Sequence, residues 1–156
     1  VAFSVLLFVL SLCLPAFYTT GLEGRQEPYS YAGGGWAILL MGWLGPLDGL
    51  FGWYANPLLW LAWAGVLVGP KRSFLWGATV LSVLAILLGL EFLCHHQVLL
   101  NEAGHYGAIS ARGAGYWSWL LSMMAALGTS GWALWALRIS PPTATPLSVE
   151  NTPPTV

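Results

Sequence analysis

Apolar residues fall into four long, nearly uncharged runs, at about 1–18, 50–69, 74–94 and 116–137, with polar stretches between them. The first run, Val1 to Tyr18, carries no charge. The third, Phe74 to Cys94, carries only Glu91, close to its far end. A helix needs about 20 such residues to cross a hydrocarbon core about 30 Å thick. The pattern therefore predicts four spans. The expected fold is an all-α integral membrane protein, with a four-helix transmembrane bundle over 1–138. A cleaved signal peptide in the first run would show a basic leading region and a small-x-small cleavage site. Neither is visible, so the run reads as a retained span.

The stretch from Gly33 to Gly69 is apolar but broken twice, at Gly45-Pro46-Leu47-Asp48-Gly49 and at Asn56-Pro57. Trp36 to Leu44 is too short to span. Segment 36–49 is thus expected as an extra interfacial or re-entrant piece on the outer side, with Trp36 and Trp43 at the water boundary. Asp48 reads first as an ordinary turn former or helix cap. A sharper reading makes it a ligand or proton site at the outer face. The second span must begin near Leu50, because Pro57 to Gly69 alone falls short of the core. Asn56-Pro57 then lies one or two turns inside that helix. Pro57 has no N–H to offer the carbonyl of Trp53, and the Asn56 amide can supply one. Trp53, Asn56 and Pro57 form the expected structural hinge. Gly65 and Gly69, in a GxxxG, and the small residues Ser118, Ser122 and Thr129 mark helix-packing faces.

Composition strengthens the membrane reading. Hydrophobic residues make up 57% and charged residues 7%, with a mean hydropathy of +0.70. Soluble domains carry about 25% charged residues, so charge is too scarce here to cover a water-facing surface. The net charge of −1 offers no basic patch and predicts no nucleic-acid partner. With four spans, Lys71, Arg72 and Arg138 share one side with both termini, and the positive-inside rule makes that side cytoplasmic. Residues 139–156 are expected as a disordered Pro/Thr-rich cytoplasmic tail. The expected partners are the lipid bilayer and a membrane protein or second copy of the chain. Cys13 and Cys94 form no CxxC. They would sit at depths differing by roughly 7 Å, which argues against a disulfide.

All three histidines fall in one polar stretch. With the nearby acids they give a candidate metal or polar cluster of Glu91, His95, His96, Glu102 and His105. Imidazoles and carboxylates suit zinc or iron, but the spacing matches no strong motif. Glu91 and His95 are four apart, so on a continuing helix they share a face and are expected to contact each other. Arg112 is the alternative partner for Glu91.

Three stretches, LSLCLPAFY (Leu10 to Tyr18), GWLGPLDGLFGWYANPLLWLA (Gly42 to Ala62) and GAGYWSWL (Gly113 to Leu120), resemble a family of small bacterial four-span membrane proteins. The likeness is most specific at Trp53-Tyr54-Ala55-Asn56-Pro57 and Gly115-Tyr116-Trp117. It implies a bacterial inner (plasma) membrane location and supports the multi-pass topology with both termini cytoplasmic. No activity comes with it.

No catalytic constellation emerges and no cofactor is expected. Paired charges inside a span, usual in transporters and proton relays, are missing. The expected role is a non-enzymatic accessory, assembly or scaffold subunit. The alternative is a metal- or haem-binding membrane protein using the outer His/Glu cluster.

Overall fold

A computed structural model describes residues 1–19, 30–31, 34–69, 71–99 and 106–139. Helix α1 spans Ala2–Cys13. It stops where Pro15 forces the preceding residue out of helical geometry: Leu14 lies at φ −110°, ψ 154°. The chain then turns extended, and Phe17–Thr19 forms strand β1. The first uncharged run is therefore a 12-residue helix followed by a strand, not one span.

Strand β2 (Ser30–Tyr31) precedes helix α2 (Gly35–Met41) and a 3-10 helix over Gly42–Asp48. Gly49, at φ 75°, ends that 3-10 helix in the left-handed region that favours glycine. A second 3-10 turn, Gly52–Tyr54, leads into α3 (Ala55–Leu67). Pro57 thus sits in the first turn of a 13-residue helix rather than inside a long one. Helix α4 (Arg72–Glu91) continues through a 3-10 turn at Phe92–Cys94. Strands β3 (Gln97–Leu99) and β4 (Tyr106–Arg112) follow, and α5 (Ala114–Ile139) closes the described chain.

The strands form one antiparallel sheet in the order β2-β1-β4-β3. Tyr18 pairs with Tyr31 on one side and Ala111 on the other, while Val98 pairs with Gly107. Arg112, the last residue of β4, ties the sheet to the helices. Its Nη2 donates to the carbonyls of Phe92, Leu93 and His95 at 3.3, 3.1 and 2.8 Å. A cation is well placed at these carbonyls near a helix C-terminus.

The helices pack in the order α1–α5–α4–α3 around Phe8, Ala55, Leu59, Ala85, Leu120 and Met123. On α4 the buried positions Leu75, Ala78, Ser82, Ala85 and Gly89 recur every three or four residues, the spacing of one helix face. Small hydroxyls satisfy themselves within this core. Ser4 Oγ donates to the carbonyl of Ser122 at 2.6 Å and accepts from Trp63 Nε1 at 2.9 Å, joining α1, α3 and α5.

The all-α four-helix transmembrane bundle is therefore corrected to a mixed α/β fold. Among the described residues two helical stretches, Arg72–Cys94 and Ala114–Ile139, are long and apolar enough to cross a membrane. The expected multi-pass inner-membrane topology, with both termini cytoplasmic and the lipid bilayer as partner, rested on four spans and falls with them. The physical reason is local: Pro15 and strand β1 end the helix of the first run, and the 3-10 turn at Gly52–Tyr54 leaves the second run a helix of 13 residues. The tail expected over 139–156 lies, beyond Ile139, outside the described residues.

Candidate functional site

One junction sets the geometry. The chain leaving α1 presents carbonyls that three glycine N–H groups collect. Gly35 donates to Leu14 at 3.1 Å, Gly115 to Pro15 at 2.8 Å and Gly113 to Ala16 at 2.8 Å. The entries to α2 and α5 are thereby drawn against the end of α1. Helix α2 and its 3-10 extension run across this end, and Trp53 Nε1 anchors them by donating to the carbonyl of Leu39 at 2.8 Å.

Beneath that cover lies a cavity of about 410 Å³. Small-molecule sites range over roughly 300–1,000 Å³. Leu12, Ala37 and Ile38 line one side, and Val98 and Leu99 of β3 another. Its aromatic wall is a row of rings in contact: Phe17 to Phe92 at 5.7 Å, Phe92 to Tyr116 at 5.7 Å and Tyr116 to Trp119 at 6.1 Å between centroids. Leu44, Gly45 and Asp48 of the 3-10 helix border it on the outer side, and Asp48 is exposed there.

The polar side chains in the wall are engaged with the protein itself. Asn56 is 5% exposed; its Nδ2 donates to the carbonyl of Trp53 at 2.9 Å, and its Oδ1 accepts from Trp119 Nε1 at 2.8 Å. Ser11 Oγ donates to the carbonyl of Phe8, and Tyr116 Oη to that of Gly89. Asp48 differs. Its carboxylate accepts from Tyr106 Oη at 3.2 Å across the cavity rim. Tyr106 pairs in register with Leu99, a wall residue.

That carboxylate holds the Tyr106 phenol above its ordinary range, through its charge first and its hydrogen bond second. A phenolate there would face a carboxylate, so the Asp48–Tyr106 bond is intact at neutral pH and is lost as pH rises through the raised pKa. The phenolate absorbance contributed by Tyr106, taken as wild type minus Tyr106→Phe, is expected to titrate above the range of free tyrosine. Asp48→Asn should bring it down. An unchanged midpoint in Asp48→Asn would show that the carboxylate is not the cause.

The other residues singled out in the sequence are dispersed. His95 Nε2 hydrogen-bonds Glu91 Oε1, and His96 is exposed. Glu102 and His105 lie outside the described residues. Among the described residues no three His, Cys, Asp or Glu side chains gather to hold a metal, so the metal or haem alternative is withdrawn. Arg112 Nη2 bonds backbone carbonyls, and its Nε makes no hydrogen bond to Glu91. Gly65 faces α4, where an added Cβ would stand 3.2 Å from the carbonyl of Phe74, whereas Gly69, at φ 139°, has open space around it. Ser122 is fully buried; Ser118 and Thr129 are half-buried. Both cysteines are free.

Leu12, Ala37, Phe92, Tyr116 and Trp119 went unnoticed as site residues. Nothing local marks them, since the cavity is assembled from positions far apart in the chain. No family model, curated protein or solved structure matches the chain. Together with the mixed fold, this overturns the resemblance to four-span membrane proteins. The accessory or scaffold role inferred from such a bundle goes with it.

Proposed function

We propose that the protein binds a small, largely apolar molecule in the cavity between α2, the aromatic wall and the sheet. One observation carries the reading: a cavity of about 410 Å³ whose inner polar side chains are already bonded to the protein. An occupant reaching the interior meets aromatic and aliphatic surface and no unsatisfied strong donor. Burial of apolar area, at roughly 25 cal/mol per Å², then supplies the binding energy. A charged group placed deep inside would lose its hydration without compensation.

Titration calorimetry with 1-adamantanol, a rigid cage that forms no micelles, tests this. Saturable one-site binding is expected for the wild-type protein. Ala37→Phe puts a ring into space the occupant needs and is expected to weaken binding roughly tenfold, about 1.4 kcal/mol. Ile38→Trp serves if Ala37→Phe lowers the unfolding midpoint. Wild-type affinity in both folded variants, or no saturable binding at all, would refute the proposal.

A further inference from the structure

The cavity carries a chemical preference at its rim. We infer that it selects molecules with an apolar body and a single cationic or hydrogen-bond-donating end, an amine above all, and rejects carboxylates and phosphates. The inference rests on the apolar-ligand reading of the same cavity and adds the class of ligand.

Among the described residues that line the cavity, Asp48 is the one carboxylate and none is basic. It stands at the exposed rim, at the end of the 3-10 helix. Among the described residues no basic side chain lies within ion-pair distance of it. A carboxylate has about four acceptor positions, and the Tyr106 hydroxyl occupies one. A ligand ammonium arriving at the rim therefore finds an acceptor that is charged and unfilled. The interior offers the opposite: bonded polar groups, aliphatic side chains and the row of aromatic rings. Such rings tolerate a nearby cation and disfavour an anion. Body and head thus have separate places. An anionic head would meet the Asp48 charge and gain no cation in exchange among the described lining residues.

Three probes with the same cage separate this from simple apolar binding: 1-adamantanol, 1-aminoadamantane (protonated at neutral pH) and 1-adamantanecarboxylate. In the wild-type protein the amine should bind roughly two- to fivefold tighter than the alcohol, the range of an exposed ion pair. The carboxylate should bind weakest. Asp48→Asn should bring the amine level with the alcohol, and the amine's advantage should shrink in about 1 M salt, where the screening length is near 3 Å. Tyr106→Phe clears the competing donor and should preserve the amine's advantage or enlarge it. If the alcohol binds but the amine has no advantage, or keeps its advantage in Asp48→Asn, the rim inference is wrong while the apolar-ligand reading stands. If none of the three binds, both are wrong.

Discussion

Asn56→Ala is expected to destabilise the protein by about 2–6 kcal/mol, taking about 1–3 kcal/mol for each of two polar groups that lose their partner. Pro57 has no N–H for the carbonyl of Trp53, and the Asn56 amide makes that bond at 2.9 Å. The other end of the same side chain accepts the Trp119 indole N–H at 2.8 Å. Asn56 is 5% exposed, so water does not readily substitute. Pro57→Ala alone should be much milder, because it returns an N–H that can reach the Trp53 carbonyl. For the same reason Asn56→Ala should cost about 1 kcal/mol less on a Pro57→Ala background than alone. Equilibrium unfolding followed by tryptophan fluorescence measures all four members of this cycle. Equal costs on the two backgrounds would contradict the pairing of the Asn56 amide with the proline's missing donor.

The second large effect is expected at Gly115. A Cβ there would lie 2.7 Å from the carbonyl oxygen of Leu14 and 2.8 Å from that of Pro15, both backbone atoms held by the α1–α5 junction. Neither can step aside without straining the bond it accepts, from Gly35 N at Leu14 O and from Gly115 N at Pro15 O. Gly115→Ala should therefore cost about 2–3 kcal/mol through overpacking. Gly128 provides the contrast: it is also in α5, with nothing within 4 Å of its added Cβ. There the same substitution should stabilise by about 0.5–1 kcal/mol, since alanine loses less chain freedom on folding. A Gly115→Ala protein as stable as wild type would mean that the junction is looser than described.

Much of the helical content was legible. Each of the four apolar runs contains a helix, because burying one face of α1, α3, α4 and α5 needs apolar residues at helical spacing. Their outer faces are apolar too: Phe74, Val83, Leu87, Trp117, Leu121 and Met124 are all exposed. Hydropathy summed along the chain therefore ran past the points where elements end. Leu14, Ala16 and Phe17 continue the apolar run, yet the helix has already ended at Cys13, before Pro15. The sheet was harder to see. Strand β4, Tyr-Gly-Ala-Ile-Ser-Ala-Arg, has one β-branched residue, and β2 and β3 have two and three residues. Such strands are held by backbone pairing that leaves little trace in side-chain pattern. At the site, the bond from Asn56 to Trp53 followed from the chemistry of proline alone. The Trp119 half of that network, 63 residues away, had no local signal. Asp48 was marked by its place between two glycines, but its role at the rim depends on Tyr106, 58 residues on.

The central claim is that an apolar molecule occupies the cavity rather than the exposed apolar exterior. Indole N–H resonances report this directly. Trp53 and Trp119 line the cavity, their indoles donating to the Leu39 carbonyl and to Asn56 Oδ1, whereas Trp36, Trp43, Trp132 and Trp135 face outward. Titrating isotopically labelled protein with 1-adamantanol, with each signal assigned by Trp→Phe substitution, should shift the Trp53 and Trp119 resonances to saturation along one binding curve and leave the outward indoles in place. Shifts confined to Trp36, Trp43, Trp132 and Trp135, with Trp53 and Trp119 unmoved, would contradict it.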